Sequence, residues 1–163
     1  MKIAKDAPEL TFDATALMAS HINILHVEDD PNDALLFQHA CRKAQVDFQL
    51  QSVSDGDEAM AYLRRIRDGN DGRGQALPHL ILLDLKMPRV SGFDLLAWLR
   101  GESAFQKLPV IVLTSSNHES DIKRAYALGA NSYLVKPVSF DALVEIARTI
   151  HGYWLRHNAG PTR

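Results

Sequence analysis

HLILLDLKMPRVSG, His79 to Gly92, sets an apolar run against a single acid and then a turn. Leu80-Ile81-Leu82-Leu83 has no alternation, so it reads as a strand buried on both faces, as in a parallel sheet. Parallel sheets bind their ligands beyond the carboxyl ends of the strands, which is where Asp84 falls. Pro88 and Gly92 then turn the chain towards a helix. A carboxylate at such a strand lip is a metal ligand, a nucleophile or a helix cap, and the stretch alone does not choose.

Working outward, the chain alternates strand and helix. Before the stretch, Ile22 to Val27 is a first strand, ending in Glu28-Asp29-Asp30. Pro31 sits at a first helical position with Asp30 as its cap. Leu35, Leu36, Phe37, Ala40 and Ala44 give that helix an apolar face. A second strand fits Phe48 to Val53. Ser54-Asp55-Gly56-Asp57-Glu58 opens a helix buried through Ala59, Tyr62, Leu63 and Ile66, with acids near its positive end. Asp68 to Gln75 is a polar surface loop whose glycines lack the spacing of a phosphate-binding fingerprint.

After the stretch, Phe93 to Arg100 forms a third helix. Pro109 to Leu113 is a fourth strand, ending at Thr114-Ser115-Ser116. A helix from about His118 to Leu128 closes at Gly129, where a left-handed cap is expected. Ser132 to Val135 is a short fifth strand, followed by Lys136-Pro137. The last helix begins near Ser139 and carries Leu143, Ile146, Ala147, Ile150 and Trp154 on one stripe. This alternation predicts an α/β, doubly wound, five-stranded parallel sheet covered on both faces, for which 2-1-3-4-5 is a common strand order. The expected division is an extension over 1–20, one domain over 21–157 and a tail over 158–163. Phe12, Ala16 and Leu17 in the extension fit one amphipathic turn, with disorder as the alternative.

Bulk properties narrow the function. The 163 residues suit one domain with a sizeable core. Lys and Arg number 18 against 20 Asp and Glu, so no global field points to nucleic acid or an anionic membrane. The single cysteine, Cys41, excludes an internal disulfide and lies at helical spacing from Phe37 and Ala44, as a buried small hydrophobe would. No run of about 18 apolar residues suggests a membrane span, and the N-terminus lacks a signal-peptide core. A cytoplasmic protein is expected.

In the order 2-1-3-4-5, the switch point lies between strands one and three. Glu28, Asp29 and Asp84 then converge, and three carboxylates repel unless a cation sits among them. Hard oxygen ligands with room for water suit Mg²⁺. Thr114 and Lys136, facing the same point, suit an anion bound to that metal. These are the parts of a phosphoryl-transfer site, in which an Asp acceptor passes through an acyl phosphate. Singly, each residue has a plainer reading: Asp29 and Asp30 as caps, Thr114 as a strand end, Lys136 as a solvated lysine, Tyr133 as packing. The conjunction, in order and at strand ends, favours the functional reading.

The motifs ILHVEDDP, SDGDEA, LILLDLKMPRVSG, VIVLTSS and ALGANSYLVKP together resemble the receiver domain of two-component response regulators, over about Asn23 to Tyr153. The resemblance implies a flavodoxin-like receiver fold and a phosphoacceptor signalling protein, with self-catalysed phosphotransfer and autodephosphorylation in place of a conventional enzyme activity. It implies that Asp84 accepts phosphate from a sensor histidine kinase, and that Glu28, Asp29, Asp84 and the backbone carbonyl of Lys86 hold Mg²⁺. Thr114 and Lys136 would bind the phosphoryl oxygens. Thr114 and Tyr133 would form the switch, changing the surface of the fourth helix, fifth strand and fifth helix. The resemblance further implies a cis Lys136–Pro137 peptide, and Lys86 and Ser116, each two residues past a site residue, are expected to tune dephosphorylation.

With about ten residues after the last helix, the chain resembles stand-alone regulators, and among them those partnered with bacterial and cyanobacterial phytochromes. The features behind that closer likeness are EDDPND, the loop from Asp68 to Leu77, and Tyr153-Trp154-Leu155. Three consecutive large apolar residues do not share one helical face, so a homodimer is expected with Tyr153 and Trp154 in its interface. No nucleic-acid or membrane contact is expected. Rival readings fit less well. A haloacid-dehalogenase-type phosphatase wants a second Asp where Lys86 stands. An ATPase wants a GxxxxGK[ST] loop, which is absent. A scaffold of the same fold that binds partners without phosphorylation is the remaining alternative.

Overall fold

The computed structural model describes residues 22–70, 72 and 74–159. The division at 1–20, with its turn at Phe12, Ala16 and Leu17, lies outside the described residues, as do Asp71, Arg73 and 160–163.

Five parallel strands form one sheet in the order β2-β1-β3-β4-β5. They are β1 (Asn23–Val27), β2 (Gln49–Val53), β3 (Leu80–Leu83), β4 (Val110–Thr114) and β5 (Ser132–Val135). The helices between and after them are α1 (Pro31–Ala44), α2 (Gly56–Arg67), α3 (Gly92–Gly101), α4 (Glu119–Ala127) and α5 (Phe140–Thr149). The central strands are apolar on both faces because helices cover both. Ile24, Leu80, Leu82, Ile111 and Leu113 pack with α1 and α5, while Leu25, Val27, Ile81, Leu83, Val110 and Val112 pack with α2, α3 and α4. The β2 edge is polar and largely exposed, which discourages pairing with another chain.

Helix starts follow local chemistry. Asp30, Asp55, Ser91 and Ser139 accept backbone N–H bonds at the starts of α1, α2, α3 and α5, and Ser91 with Asp94 completes a capping box. Gly129, at φ 93°, follows α4 in the left-handed region, as expected.

Two expectations are corrected. Leu35 and Leu36 are 52% and 46% exposed, and α1 is buried instead through Phe37, Ala40 and Cys41. The α1 axis is set by those three and Ala44 at helical spacing, which turns the two leucines outward. The Lys136–Pro137 peptide is trans, since no described peptide bond is cis. The cis–trans preference before proline is only about 0.5–1 kcal/mol, so the packing of the strand end decides it.

After α5 the helix widens into a π-type segment, Ile150–His157. Its i to i+5 pattern appears in the Asn158 N–H bond to the Tyr153 carbonyl at 2.7 Å. The wider turn brings Trp154 and Leu155 together over the core beside Ile150, leaving Tyr153 outside at 56% exposure. No helix among the described residues is long and apolar enough to cross a membrane.

Candidate functional site

The site forms where β1 and β3 end side by side. The Asp84 N–H donates to the Val27 carbonyl at 3.0 Å, carrying the sheet register one residue past the strands and fixing Asp84 beside Glu28. The Asp84 carboxylate accepts from the Leu85 N–H at 2.7 Å and the Lys86 N–H at 3.4 Å, so its Oδ1 is held by its own loop. It caps no helix, because Ser91 fills that role for α3. The loop packs so tightly that a Cβ on Gly92 would stand 2.1 Å from the Asp84 carbonyl oxygen. Only glycine permits that approach.

Glu28, Asp29 and Asp84 come together as expected: one carboxylate oxygen of each lies within 4.8 Å of the others. Glu28 and Asp84 are buried and Asp29 is half-buried. Lys136 follows β5, whose register with β4 extends through the Lys136 N–H bond to the Thr114 carbonyl at 2.8 Å. Its Nζ donates to Glu28 Oε2 at 2.6 Å and stands 3.5 Å from Asp84 Oδ2.

The electrostatics follow from burial and pairing. Burial pushes the Glu28 carboxyl up to about 7, a rise that the Lys136 hydrogen bond and charge oppose but do not cancel. Burial works against the Lys136 charge too, but bonds to Asp33 and Glu28 and the Asp84 charge outweigh it and raise the lysine above its ordinary value. An all-oxygen donor set, crowded and partly desolvated, fits a hard divalent cation such as Mg²⁺. Such an ion would offset the carboxylate charge and draw negative charge from phosphoryl oxygens.

Thr114 is fully buried at the end of β4, and its Oγ1 accepts from the Ser116 N–H at 3.5 Å. The Tyr133 hydroxyl donates to the Ser116 carbonyl at 2.9 Å, so the ring is anchored to the loop after β4. The Ser116 side chain is committed elsewhere: its hydroxyl donates to Asp121 Oδ2 at 2.6 Å. Lys86 is exposed at the lip. Tyr153 and Trp154 belong to the C-terminal segment, outside this cluster; their rings meet edge to face at 5.3 Å.

Three groups escaped the sequence reading. Asp33 Oδ2 accepts from Lys136 Nζ at 2.7 Å. The EDDPND run contains it, but nothing local ties it to a lysine 103 positions away. Asp121 orients Ser116, and its only sequence signal is its place in the first turn of α4. His26 is buried beside Phe37 with Nδ1 unpartnered among the described residues, and burial, helped by the Lys136 charge, lowers it to about 4. It lines a cavity of about 230 Å³ with Glu28, Asp33, Phe37, Leu113 and Lys136.

Comparison with known proteins agrees with this geometry. Residues 24–148 match the response regulator receiver domain family. The chain is 37% identical over 138 residues to a probable methanogenesis regulatory protein, FilR2, of Methanothrix harundinacea, covering 85% of this chain and 86% of that protein. It is 34% identical to the response regulator Rcp1 of Synechocystis sp., covering 81% of this chain and 88% of Rcp1. The Mn²⁺-bound crystal structure of Rcp1 superposes with a TM-score of 0.74 at 33% identity, covering 86% of this chain and 99% of that one. The phosphorylated cyanobacterial phytochrome response regulator RcpA superposes with a TM-score of 0.76 at 35% identity, covering 88% of this chain and 100% of that one. With its sheet order, its acidic trio at the switch point and its strand-end lysine, the chain belongs to the response regulator receiver family of two-component signalling.

Proposed function

We propose that the protein accepts a phosphoryl group on Asp84 from a sensor histidine kinase, with Mg²⁺ held by Glu28, Asp29, Asp84 and the Lys86 backbone carbonyl. The observation that carries the reading is the placement of a buried Asp84 among two further acids and 3.5 Å from the Lys136 ammonium. An Asp84 carboxylate oxygen attacks the phosphorus of a phosphohistidine; the P–O bond forms as the P–N bond breaks, and the imidazole leaves with a proton from solvent. Lys136 and Thr114 bind the phosphoryl oxygens. Lys86 and Ser116 tune the lifetime of the acyl phosphate, Ser116 in the position that Asp121 sets. The test is incubation with acetyl phosphate and Mg²⁺, read by intact mass. One added phosphoryl group supports the reading. None, with the fold intact, favours a scaffold that binds partners unphosphorylated.

The added charge and acceptor oxygens draw Thr114 towards the site and shift Tyr133 between two packings, changing the surface of α4, β5 and α5. Tyr126, Val135 and Tyr153 are exposed large hydrophobics, on α4, on β5 and beyond α5. They suit a symmetric homodimer whose contact includes Tyr153 and Trp154. Similarity to RcpA, a cyanobacterial phytochrome response regulator, supports a phytochrome-type kinase as partner. Molar mass in solution checks the dimer: wild type exceeds the monomer at high micromolar concentration, and Tyr153→Ala with Trp154→Ala returns it to monomer.

A further inference from the structure

Lys136 serves two carboxylates at close range, Glu28 at 2.6 Å and Asp33 at 2.7 Å, with Asp84 farther off at 3.5 Å. Glu28 has no unengaged oxygen, because Oε1 accepts from the Asp30 N–H at 3.1 Å while Oε2 takes the lysine. Glu28 is also one of the three acids whose oxygens gather within 4.8 Å. An ammonium and a divalent cation therefore compete for the same side chain, and they repel each other. Asp33 stands outside the trio, in the first turn of α1, with its side chain 42% exposed. Among the described residues it is the Lys136 partner that lies outside the trio, so it stays with the lysine if Glu28 turns away.

We propose that Asp33 is a positioning residue for the cation site: it holds the Lys136 ammonium when Glu28 turns to a divalent cation, and so raises the affinity for that cation. The inference rests on the reading of the acidic trio as a cation site. Without Asp33, the ammonium is left with Glu28 at 2.6 Å and Asp84 at 3.5 Å among the described residues, and both belong to the trio. The cation must then share Glu28 and Asp84, both members of the trio, with the ammonium, and binding weakens. A purely structural role is also available to Asp33, since an acid in a first turn favours the helix dipole. That role does not depend on Lys136.

Calorimetric titration of Mg²⁺ into the full chain separates the two, with circular dichroism confirming the fold of each variant. Asp33→Asn, and Asp33→Ala beside it, weaken Mg²⁺ binding by about three- to tenfold, between an exposed ion pair and a residue that orients a metal ligand. Asp33→Glu recovers most of the loss. In a Lys136→Met background, adding Asp33→Asn changes the affinity by less than about twofold, because the partner through which Asp33 acts is gone. Wild-type affinity in Asp33→Asn overturns the inference, as does an equal loss with and without Lys136, which marks a simple field effect. A wild type that takes up no Mg²⁺ overturns the cation-site reading itself, and this inference with it.

Discussion

The two faces of the sheet are built to different standards. The face under α2, α3 and α4 has Phe105 fully buried beside Trp98, with Leu83, Val112 and Leu99 closing the layer. Its polar-lined cavity, about 390 Å³, opens at the β2 edge between Val53, Glu58, Tyr62 and Arg65. The face under α1 and α5 carries a buried histidine with a nitrogen unpartnered among the described residues, a cavity of about 230 Å³, and two leucines turned to solvent. The imperfect face is the one whose cavity is lined by Glu28, Asp33 and Lys136. The difference lies in where the space sits: at the β2 edge, away from the acidic cluster, on one face, and against Glu28, Asp33 and Lys136 on the other. Proteins commonly break local rules of packing where function requires it.

The largest expected effect lies where the two faces meet. Asp84→Asn abolishes the mass gain with acetyl phosphate and Mg²⁺, while urea unfolding of the ion-free protein shows level or higher stability, since one of three crowded acids loses its charge. A variant that still gains phosphate at the wild-type rate breaks the assignment.

The contrast in packing is tested next. Phe105→Ala should cost about 4 kcal/mol and Phe37→Ala about 1 kcal/mol less, because Phe37 already borders a cavity into which its neighbours can relax. Urea midpoints with unchanged slopes measure both. Equal losses would mean that the two faces are packed alike.

His26 provides the pH test. Its folded value of about 4 lies below the ordinary 6.5, so the native state keeps it neutral while the unfolded chain takes up a proton first. Stability is then complete above about pH 6.5 and falls as the pH drops towards 4, by roughly 3 kcal/mol in all. Glu28 acts in the opposite sense, since its raised value means that the native state binds its proton more readily between 4.5 and about 7. Comparing wild type with His26→Leu cancels that contribution. The variant should lose the His26 component of the acid dependence, and thermal unfolding at pH 4.5 and 7.5 reads it. An unchanged difference between the two pH values would remove the histidine from the account.

The smallest effect concerns the α4–β5 side. Tyr133→Phe deletes the hydroxyl bond to the Ser116 carbonyl and should cost about 1 kcal/mol, typical of one neutral hydrogen bond. Its ring packing against the well-filled face remains. A loss several times larger would show that this bond supports the whole loop after β4, with Asp121 behind it.

Much of this was legible beforehand because it is local. The strand–helix alternation, the helix starts near Asp30, Asp55 and Ser139, and the strand-end positions of Glu28, Asp29 and Asp84 follow from period and capping, while their convergence follows once the order 2-1-3-4-5 is taken. The expected burial of Leu35 and Leu36 failed because a helix rich in apolar residues offers more than one candidate stripe. The choice fell to what Phe37, Ala40 and Cys41 meet across the sheet. Likewise, Tyr153-Trp154-Leu155 predicted that one large side chain would be exposed. The widened helix determined which one, by placing two of the three on the core.

The sequence by itself determined the fold class, the strand that carries Asp84 and the chemistry of the residues around it, because hydrophobic period and strand-end position are properties of short segments. Only the tertiary structure decided which carboxylates Lys136 serves. Its partners Glu28 and Asp33 are 108 and 103 residues away, and no local rule ranks them against Asp84. That choice depends on differences of less than an ångström in the distances between side chains on α1 and just past the ends of β1, β3 and β5. Such distances are set by how the helices seat on the two faces of the sheet.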